Sequence, residues 1–62
     1  MRLEQLEHLL NSGEIPMNEV PAAIEENGFS QGEEDMEVAR DYKNNEKLYF
    51  DELHECFTTT NI

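Results

Sequence analysis

The feature of this sequence that most narrows its fold is a short internal repeat. Residues 15–20 read IPMNEV and residues 48–53 read LYFDEL. In each segment an aliphatic residue precedes a glutamate by four positions, and a second aliphatic residue follows that glutamate directly. Repetition of one supersecondary unit indicates a repeated architecture. The repeat therefore predicts two similar units, each with a short extended piece that leads into a helix.

The first half of the chain carries the spacing of two amphipathic helices. Leucines recur at intervals of three and four across residues 3–10, which is typical of one buried helical face. Gly13 is suited to the backbone conformation that ends a helix. A second helix is predicted with Asn18 as its cap and Pro21 in its first turn, where the missing N–H has no helical partner. Asn27 and Gly28 are expected to close it.

A third helix is predicted in the second half of the chain. The sequence SQGE at 30–33 fits a capping box, in which side chains at both positions satisfy backbone N–H groups of the first turn. Acidic residues at 33–35 favour the positive end of a helix dipole. Met36 and Ala39 would supply the buried side.

A fourth helix is predicted near the end of the chain. The segment 41–46 is polar and turn-like, and residues 48–50 form a short apolar, extended stretch. Asp51 is expected to cap the helix that follows. The threonine-rich segment 58–61 has poor helix propensity and is expected to fray.

This order of elements resembles a pair of EF-hands, the unit that forms one lobe of calmodulin or of a myosin light chain. In that family an aliphatic residue stands at the eighth loop position, where Ile15 and Leu48 match it. A glutamate stands at the twelfth position and binds calcium through both oxygens, and Glu19 and Glu52 match it. The resemblance implies an all-α domain over residues 1–62, with four helices and a minimal two-stranded pairing of the loops. Hand one would span about 2–28 and hand two about 30–58.

The first loop departs from the family pattern. Counting back from Ile15 places His8, Leu10 and Ser12 at the first, third and fifth ligand positions, and two of these three offer no hard oxygen ligand. Gly13 falls at the position of the loop glycine. The leucine spacing fits better if this loop is about two residues short. In either register we expect no calcium there.

The second loop is closer to the pattern and is interpreted as a vestigial calcium loop that keeps Asp41, Asn45 and Glu52. Lys43 stands where an oxygen ligand belongs, and its ammonium would repel a divalent cation. Glu46 replaces the loop glycine. Calcium binding is therefore not expected, and no cofactor is predicted.

The resemblance also implies a groove that grips a partner helix. The residues predicted to line this groove are Leu6, Leu9, Val20, Ile24, Phe29, Met36, Leu53, Cys56 and Phe57. The residues predicted to form an acidic rim around it are Glu25, Glu26, Glu33, Glu34, Asp35, Glu37 and Glu55.

Charge bears on the partner. Fifteen acidic residues stand against four basic ones, for a net charge of −11. Such a field repels nucleic acid and anionic membranes and steers basic partners inward.

Cys56 is the only cysteine, which excludes a disulfide within the chain and favours a reducing compartment. With no apolar run long enough for a signal peptide or a membrane span, the sequence predicts a cytoplasmic protein.

Two function classes remain open. The first is a calcium-independent light chain or adaptor that clamps a basic amphipathic helix, such as the IQ motif of an unconventional myosin heavy chain of class I type, through protein–protein interaction. The alternative is a small acidic inhibitor that imitates nucleic acid, or else a weak calcium sensor that uses loop two. An enzyme is not expected. His8 and His54 show no metal-ligand spacing, and Cys56 is expected to be a small buried hydrophobe.

Overall fold

The computed structural model describes all 62 residues and packs two short α-helices against one face of a four-stranded antiparallel sheet. The strands lie in the sheet in chain order, so that each pairs with the next. The elements are α1 (Leu3–Asn11), α2 (Val20–Glu26), β1 (Ser30–Gln31), β2 (Glu37–Asp41), β3 (Glu46–Asp51) and β4 (Cys56–Asn61).

Helix α1 forms as its leucine spacing predicts. Leu3, Leu6 and Leu10 are buried on the side that faces the sheet. The helix ends at Ser12, whose hydroxyl donates a hydrogen bond to the carbonyl of Leu9 at 2.7 Å. Gly13 follows with a φ of +80°, a conformation that glycine adopts without steric cost.

Helix α2 also forms, with a different beginning from the predicted one. Asn18 lies in a 3-10 turn over Met17–Glu19 and makes no capping hydrogen bond. The end of the helix is a Schellman motif at Gly28, which has a φ of +83°. The Gly28 N–H donates to the carbonyl of Glu25 at 3.1 Å, and the Phe29 N–H donates to the carbonyl of Ile24 at 3.0 Å. The motif directs Phe29 into the core, where it is buried.

The third predicted helix is wrong, because the chain from Ser30 onward forms strands. Ala39 pairs with Leu48 of β3 across the sheet, and both are fully buried on the side that faces the helices. An irregularity in the pairing between Glu37 and Ala39 places Glu37 opposite Tyr49, hence on the other face of the sheet with Arg40. Helical spacing of two apolar residues is weaker evidence than this pairing between strands. Met36 is not buried in a helix but lies in the connection before β2, with a φ of +63°.

The fourth predicted helix is wrong as well. The carboxylate of Asp51 does cap backbone N–H groups, those of Leu53 at 3.0 Å and His54 at 3.3 Å, but it caps a turn. The chain reverses through Glu55, which has a φ of +53°, and enters β4. The threonines at 58–60 pair with β3 and do not fray. Branching at Cβ disfavours a helix and suits a pleated strand, so the same residues support the opposite assignment.

The internal repeat has no structural counterpart. Ile15 lies in the loop before the 3-10 turn, whereas Leu48 lies in the middle of β3. Val20 is 6% exposed on α2, whereas its counterpart Leu53 is 86% exposed in a turn. The all-α, EF-hand and calmodulin-like assignments are therefore wrong, and with them the two-stranded pairing of the loops. The domain is a helix–helix unit followed by a four-stranded meander.

The core lies between the helices and the sheet. One aromatic pair extends it, since the rings of Phe50 and Phe57 meet edge to face with centroids 5.2 Å apart. Neither helix has the length and apolar character needed to cross a bilayer. The buried core residues are Leu3, Leu6, Leu10, Val20, Ile24, Phe29, Ala39, Leu48 and Phe57.

Candidate protein-binding surface

The predicted groove residues do not form a groove. Most of the set belongs to the core between the helices and the sheet, where the side chains contact one another. Met36 and Leu53, at 49% and 86% exposure, lie in separate connections between strands. The core members are Leu6, Val20, Ile24, Phe29 and Phe57, while Leu9 and Cys56 are partly exposed.

The predicted acidic rim is divided among three places. Glu25 and Glu26 are exposed on α2. Residues 33–35 lie in the connection between β1 and β2, and Glu37 begins β2 with its side chain fully enclosed. Glu55 is exposed in the turn between β3 and β4. These carboxylates surround no common apolar surface.

The residues of the vestigial calcium loop are also kept apart. Asp41 ends β2 and accepts hydrogen bonds from the side chain of Asn44 at 2.7 Å and from its backbone N–H at 3.3 Å. Asn45 follows in the turn, with a φ of +54°. Glu52 lies beyond the far end of β3, a strand whose six residues span about 20 Å at the usual rise. Asp41 and Glu52 therefore cannot share one ion.

An ion-pair network crosses the outer face of the sheet around Arg40. Its guanidinium forms two hydrogen bonds with the carboxylate of Glu37, one of them at 3.0 Å, and lies 3.3 Å from an oxygen of Glu33. The hydrogen bonds from Arg40 hold the pKa of the Glu37 carboxyl below its ordinary value. This pairing explains how a carboxylate can be enclosed in a small domain.

Glu34 extends this network to β3. Its carboxylate accepts a hydrogen bond from the Tyr49 hydroxyl at 3.0 Å and lies 3.3 Å from the Lys47 ammonium. These two contacts, the tyrosine first, lower the pKa of Glu34. The Lys47 ammonium also lies 5.2 Å from the centre of the Tyr49 ring. Arg40 and Lys47 are thus both held against carboxylates of the same chain.

We expect the pair of Glu37 and Arg40 to stabilise the fold at neutral pH and to do so less in acid. The folded-state pKa of Glu37 lies below its ordinary value of 4.5. The unfolded chain therefore binds the proton first, so the contribution is complete above pH 4.5 and is lost as the pH falls through the folded-state value. Urea unfolding of Glu37→Gln, Arg40→Gln and the double variant, at pH 7 and pH 3, measures the coupling between the two residues. An equal coupling energy at both pH values would contradict this assignment.

The two remaining basic residues both lie outside the helical half of the chain, residues 3–28. Arg2 forms an ion pair with Glu46 at 3.2 Å, and Lys43 lies exposed between β2 and β3. Residues 3–28 contain six carboxylates and neither lysine nor arginine. Their surface is consequently anionic with no cation among its own residues. The six are Glu4, Glu7, Glu14, Glu19, Glu25 and Glu26.

A polar groove of about 590 Å³ lies between α1 and β4. Glu4, Glu7 and His8 line its helix side, residues 58–61 line its strand side, and Glu46 also borders it. No hydrophobic side chain lines the groove. It joins the anionic helical surface to the free edge of the sheet.

Neither this groove nor the Arg40 network was predicted from the sequence. Both depend on β4 and β2, which were assigned to helices or to a frayed end. The run of three threonines at 58–60 is a signal for β4. Residues 37–41, which read EVARD, carry no alternation of charged and apolar types that identifies β2. Comparison of the chain with protein-family models, curated proteins and solved structures gave no match.

Proposed function

We propose that this protein is a small acidic inhibitor or adaptor that binds a basic surface of another protein, one that otherwise contacts nucleic acid. The observation that carries the proposal is the helical half, in which residues 3–28 hold six carboxylates and no lysine or arginine. Lysine and arginine contacts to phosphates dominate nucleic-acid affinity. Carboxylates on a folded scaffold would occupy those same cationic sites.

The internal ion pairs support this proposal. Arg40 and Lys47 are bound to carboxylates on the outer face of the sheet, and Arg2 is bound to Glu46. Three of the four basic side chains are thereby kept from neutralising the helical surface, and the fourth, Lys43, lies exposed between β2 and β3. An anionic field of this kind raises the rate of encounter with a basic partner and orients it, although each exposed ion pair contributes little energy by itself.

The light-chain interpretation loses its support because it depended on an apolar groove between four helices. The residues assigned to that groove are largely core residues here. The calcium-sensor interpretation depended on Asp41 and Glu52 sharing a loop, and β3 separates them. We therefore propose a binding function without a catalytic step. We place it in the cytoplasm, where the free thiol of Cys56 would stay reduced.

Displacement from DNA tests this function. Proteins of the source cells are adsorbed on a duplex-DNA resin at low salt and challenged with this protein. Poly-glutamate at the same carboxylate concentration serves as the comparison. We expect selective release of one or a few DNA-binding proteins at concentrations where poly-glutamate releases none. Their affinity for this protein should fall steeply with salt. Release of the same proteins by both, or of none, would contradict the proposal.

Two triple variants with equal net charge locate the surface. One replaces Glu19, Glu25 and Glu26 by glutamine on the helical half. The other replaces Asp35 by asparagine and Glu52 and Glu55 by glutamine in the connections between strands, and all six residues are exposed. The first variant should weaken binding to the released partner at least tenfold more than the second. Equal weakening would show that only net charge matters.

A further inference from the structure

Strand β4 is an edge of the sheet, since it pairs with β3 on one side and with no strand on the other. Asn11 of α1 shows which of its backbone groups point outward. The Phe57 N–H donates to Asn11 Oδ1 at 2.6 Å, and Asn11 Nδ2 donates to the Phe57 carbonyl at 2.9 Å. One side-chain amide thus makes both bonds that a neighbouring strand would make at Phe57. The backbone groups of Phe57 therefore face away from β3.

The direction of the other groups follows from the alternation of an antiparallel ladder, in which every second residue faces the partner strand. Since the backbone N–H and C=O groups of Phe57 point away from β3, those of Thr59 and Asn61 point away from β3 as well. Ile62 belongs to the other set of residues, whose backbone groups point toward β3, because its N–H donates to the Asn45 carbonyl on the β3 side at 2.8 Å. The edge is therefore closed by Asn11 at one end and open at Thr59 and Asn61.

A second observation points to an occupant beside Thr59. Its Oγ1 atom is enclosed and has no hydrogen-bond partner, and the residue lines the groove between α1 and β4. Buried side-chain oxygens are nearly always hydrogen-bonded to protein or to ordered water, so this atom requires a partner from outside the chain, either a water molecule or an occupant of the groove.

The charge of the groove identifies the chemistry of that occupant. Glu4 and Glu7 line the groove from α1, whereas Glu46, which borders it beside its ladder partner Asn61, is already paired with Arg2 at 3.2 Å. Glu46 lies two residues from the core residue Leu48, hence on the helix side of the sheet. A strand added to β4 would direct alternate side chains toward Glu4 and Glu7. A second copy of this chain would bring a further net charge of −11 and would be repelled.

We propose that an extended basic segment of a partner protein adds to the β4 edge as a fifth strand. Its N–H and C=O groups would pair with those of Thr59 and Asn61, and lysine or arginine at every second position would face Glu4 and Glu7. Main-chain bonds supply affinity in strand addition, and the alternate side chains supply specificity. This inference names the partner's binding element and rests on the proposed function for the partner's basic character.

The test uses a defined probe, an acetylated and amidated eight-residue peptide of alternating lysine and valine. A second peptide of the same sequence carries backbone N-methyl groups at alternate residues, which remove the N–H donors on one edge. A third replaces lysine by glutamate. Binding is followed by titration, and hydrogen exchange is measured at the Thr59 and Asn61 amides. We expect the first peptide to bind at least tenfold more tightly than the other two and to slow exchange at both amides at least tenfold.

Two proline variants test the edge from the protein's side. Thr59→Pro removes an N–H that faces outward, a position where an edge strand tolerates proline. It should stay folded and lose at least tenfold in affinity for the first peptide. Thr58→Pro removes an N–H that faces β3 and should lower the melting temperature far more than Thr59→Pro does.

The outcomes separate the two proposals. Equal binding of the methylated and unmethylated lysine peptides would overturn strand addition and leave the acidic surface as the binding element. Tight binding of the glutamate peptide would contradict the basic occupant. Self-association through β4, seen by sedimentation and abolished by Thr59→Pro, would also overturn this inference. Because the peptide comparison is made on the unaltered protein, it decides the question even if a proline variant unfolds.

Discussion

Replacing Gly32 by alanine is expected to remove a large part of the stability of this fold. The Gly32 N–H donates to the Val38 carbonyl at 3.0 Å, which brings the chain before β2 against the backbone of β2 itself. A Cβ atom at Gly32 would lie 2.0 Å from the carbonyl oxygen of Glu37 and 2.4 Å from its carbonyl carbon. Both are backbone atoms, so no side-chain rotation relieves the clash and β2 has to move.

The loss from Gly32→Ala should be a large share of the free energy of unfolding of this domain. Overpacking a closed site costs about 1–3 kcal/mol and occasionally more. A domain of 62 residues has a free energy of unfolding of only about 3–9 kcal/mol at the usual ~0.05–0.15 kcal/mol per residue. We expect Gly32→Ala to lose about 3 kcal/mol in urea unfolding, at the upper end of that range.

Gly13→Ala is the matched control for this substitution. At Gly13 an added Cβ meets no atom within 4 Å, so the cost is limited to holding alanine at a φ of +80°, about 1–2 kcal/mol. If Gly32→Ala destabilised the protein no more than Gly13→Ala, the close approach between Gly32 and Glu37 would not exist in solution.

Replacing Leu48 by alanine is the second change with a large expected effect. Leu48 is fully buried in β3, where it pairs with Ala39 on one side and Thr59 on the other. Ala39 offers too little volume to fill the space that a shortened neighbour would leave. Large-to-small substitutions at such sites cost about 2–5 kcal/mol. Since that approaches the total stability, we expect Leu48→Ala to be largely unfolded at 37 °C.

Leu53→Ala distinguishes the sheet from the helical alternative. Leu53 is 86% exposed in the turn after β3. Its loss should therefore change the free energy of unfolding by less than about 0.5 kcal/mol. A helical hand would bury Leu53 in its groove and show a larger loss. Urea unfolding of Leu48→Ala and Leu53→Ala, followed by circular dichroism, compares their losses in the free energy of unfolding.

The helical half of this fold could be predicted because its signals are long and agree with one another. Four leucines at helical spacing, followed by Gly13, define α1. Asn27 and Gly28 mark the end of α2, and the Schellman motif forms there. In each case the local spacing and the terminating residue favour the same element, which is the condition under which sequence patterns are dependable.

The sheet half was misassigned because its apolar signals are sparse. Leu48 is the only residue of β3 that is fully buried, and the rest of that strand is half-buried. Sheet stability here comes from cross-strand pairs, which are contacts between residues distant in the sequence. The turns of the β2–β3 and β3–β4 hairpins depend on Asn45 and Glu55 in the left-handed region. Asparagine is a recognisable residue there, whereas glutamate is not.

The candidate site was partly predictable. The net charge of −11 follows from composition, and it is the ground on which the sequence predicts a basic partner. The placement of the carboxylates does not, because it depends on which residues the sheet encloses. Glu37 was expected on an exposed rim and is instead enclosed by its contacts with Arg40. The open edge at Thr59 requires the register of β4 against β3.

The contact between Asn11 and Phe57 joins positions 46 residues apart, whereas every strand pairing of the meander joins neighbours in the chain. Hairpins can therefore form and dissolve locally, but the core stays open on one side until β4 reaches α1. During synthesis this docking has to wait until β4 has left the ribosome, so the side of the core between α1 and β4 stays open until then. A cut in the turn at 42–45, with the C-terminal end of β4 joined to the N-terminal end of α1 by a linker, would make this contact local but would place β2 and β3 at opposite ends of the chain. Because one long-range pairing replaces another, the permuted chain should not fold faster.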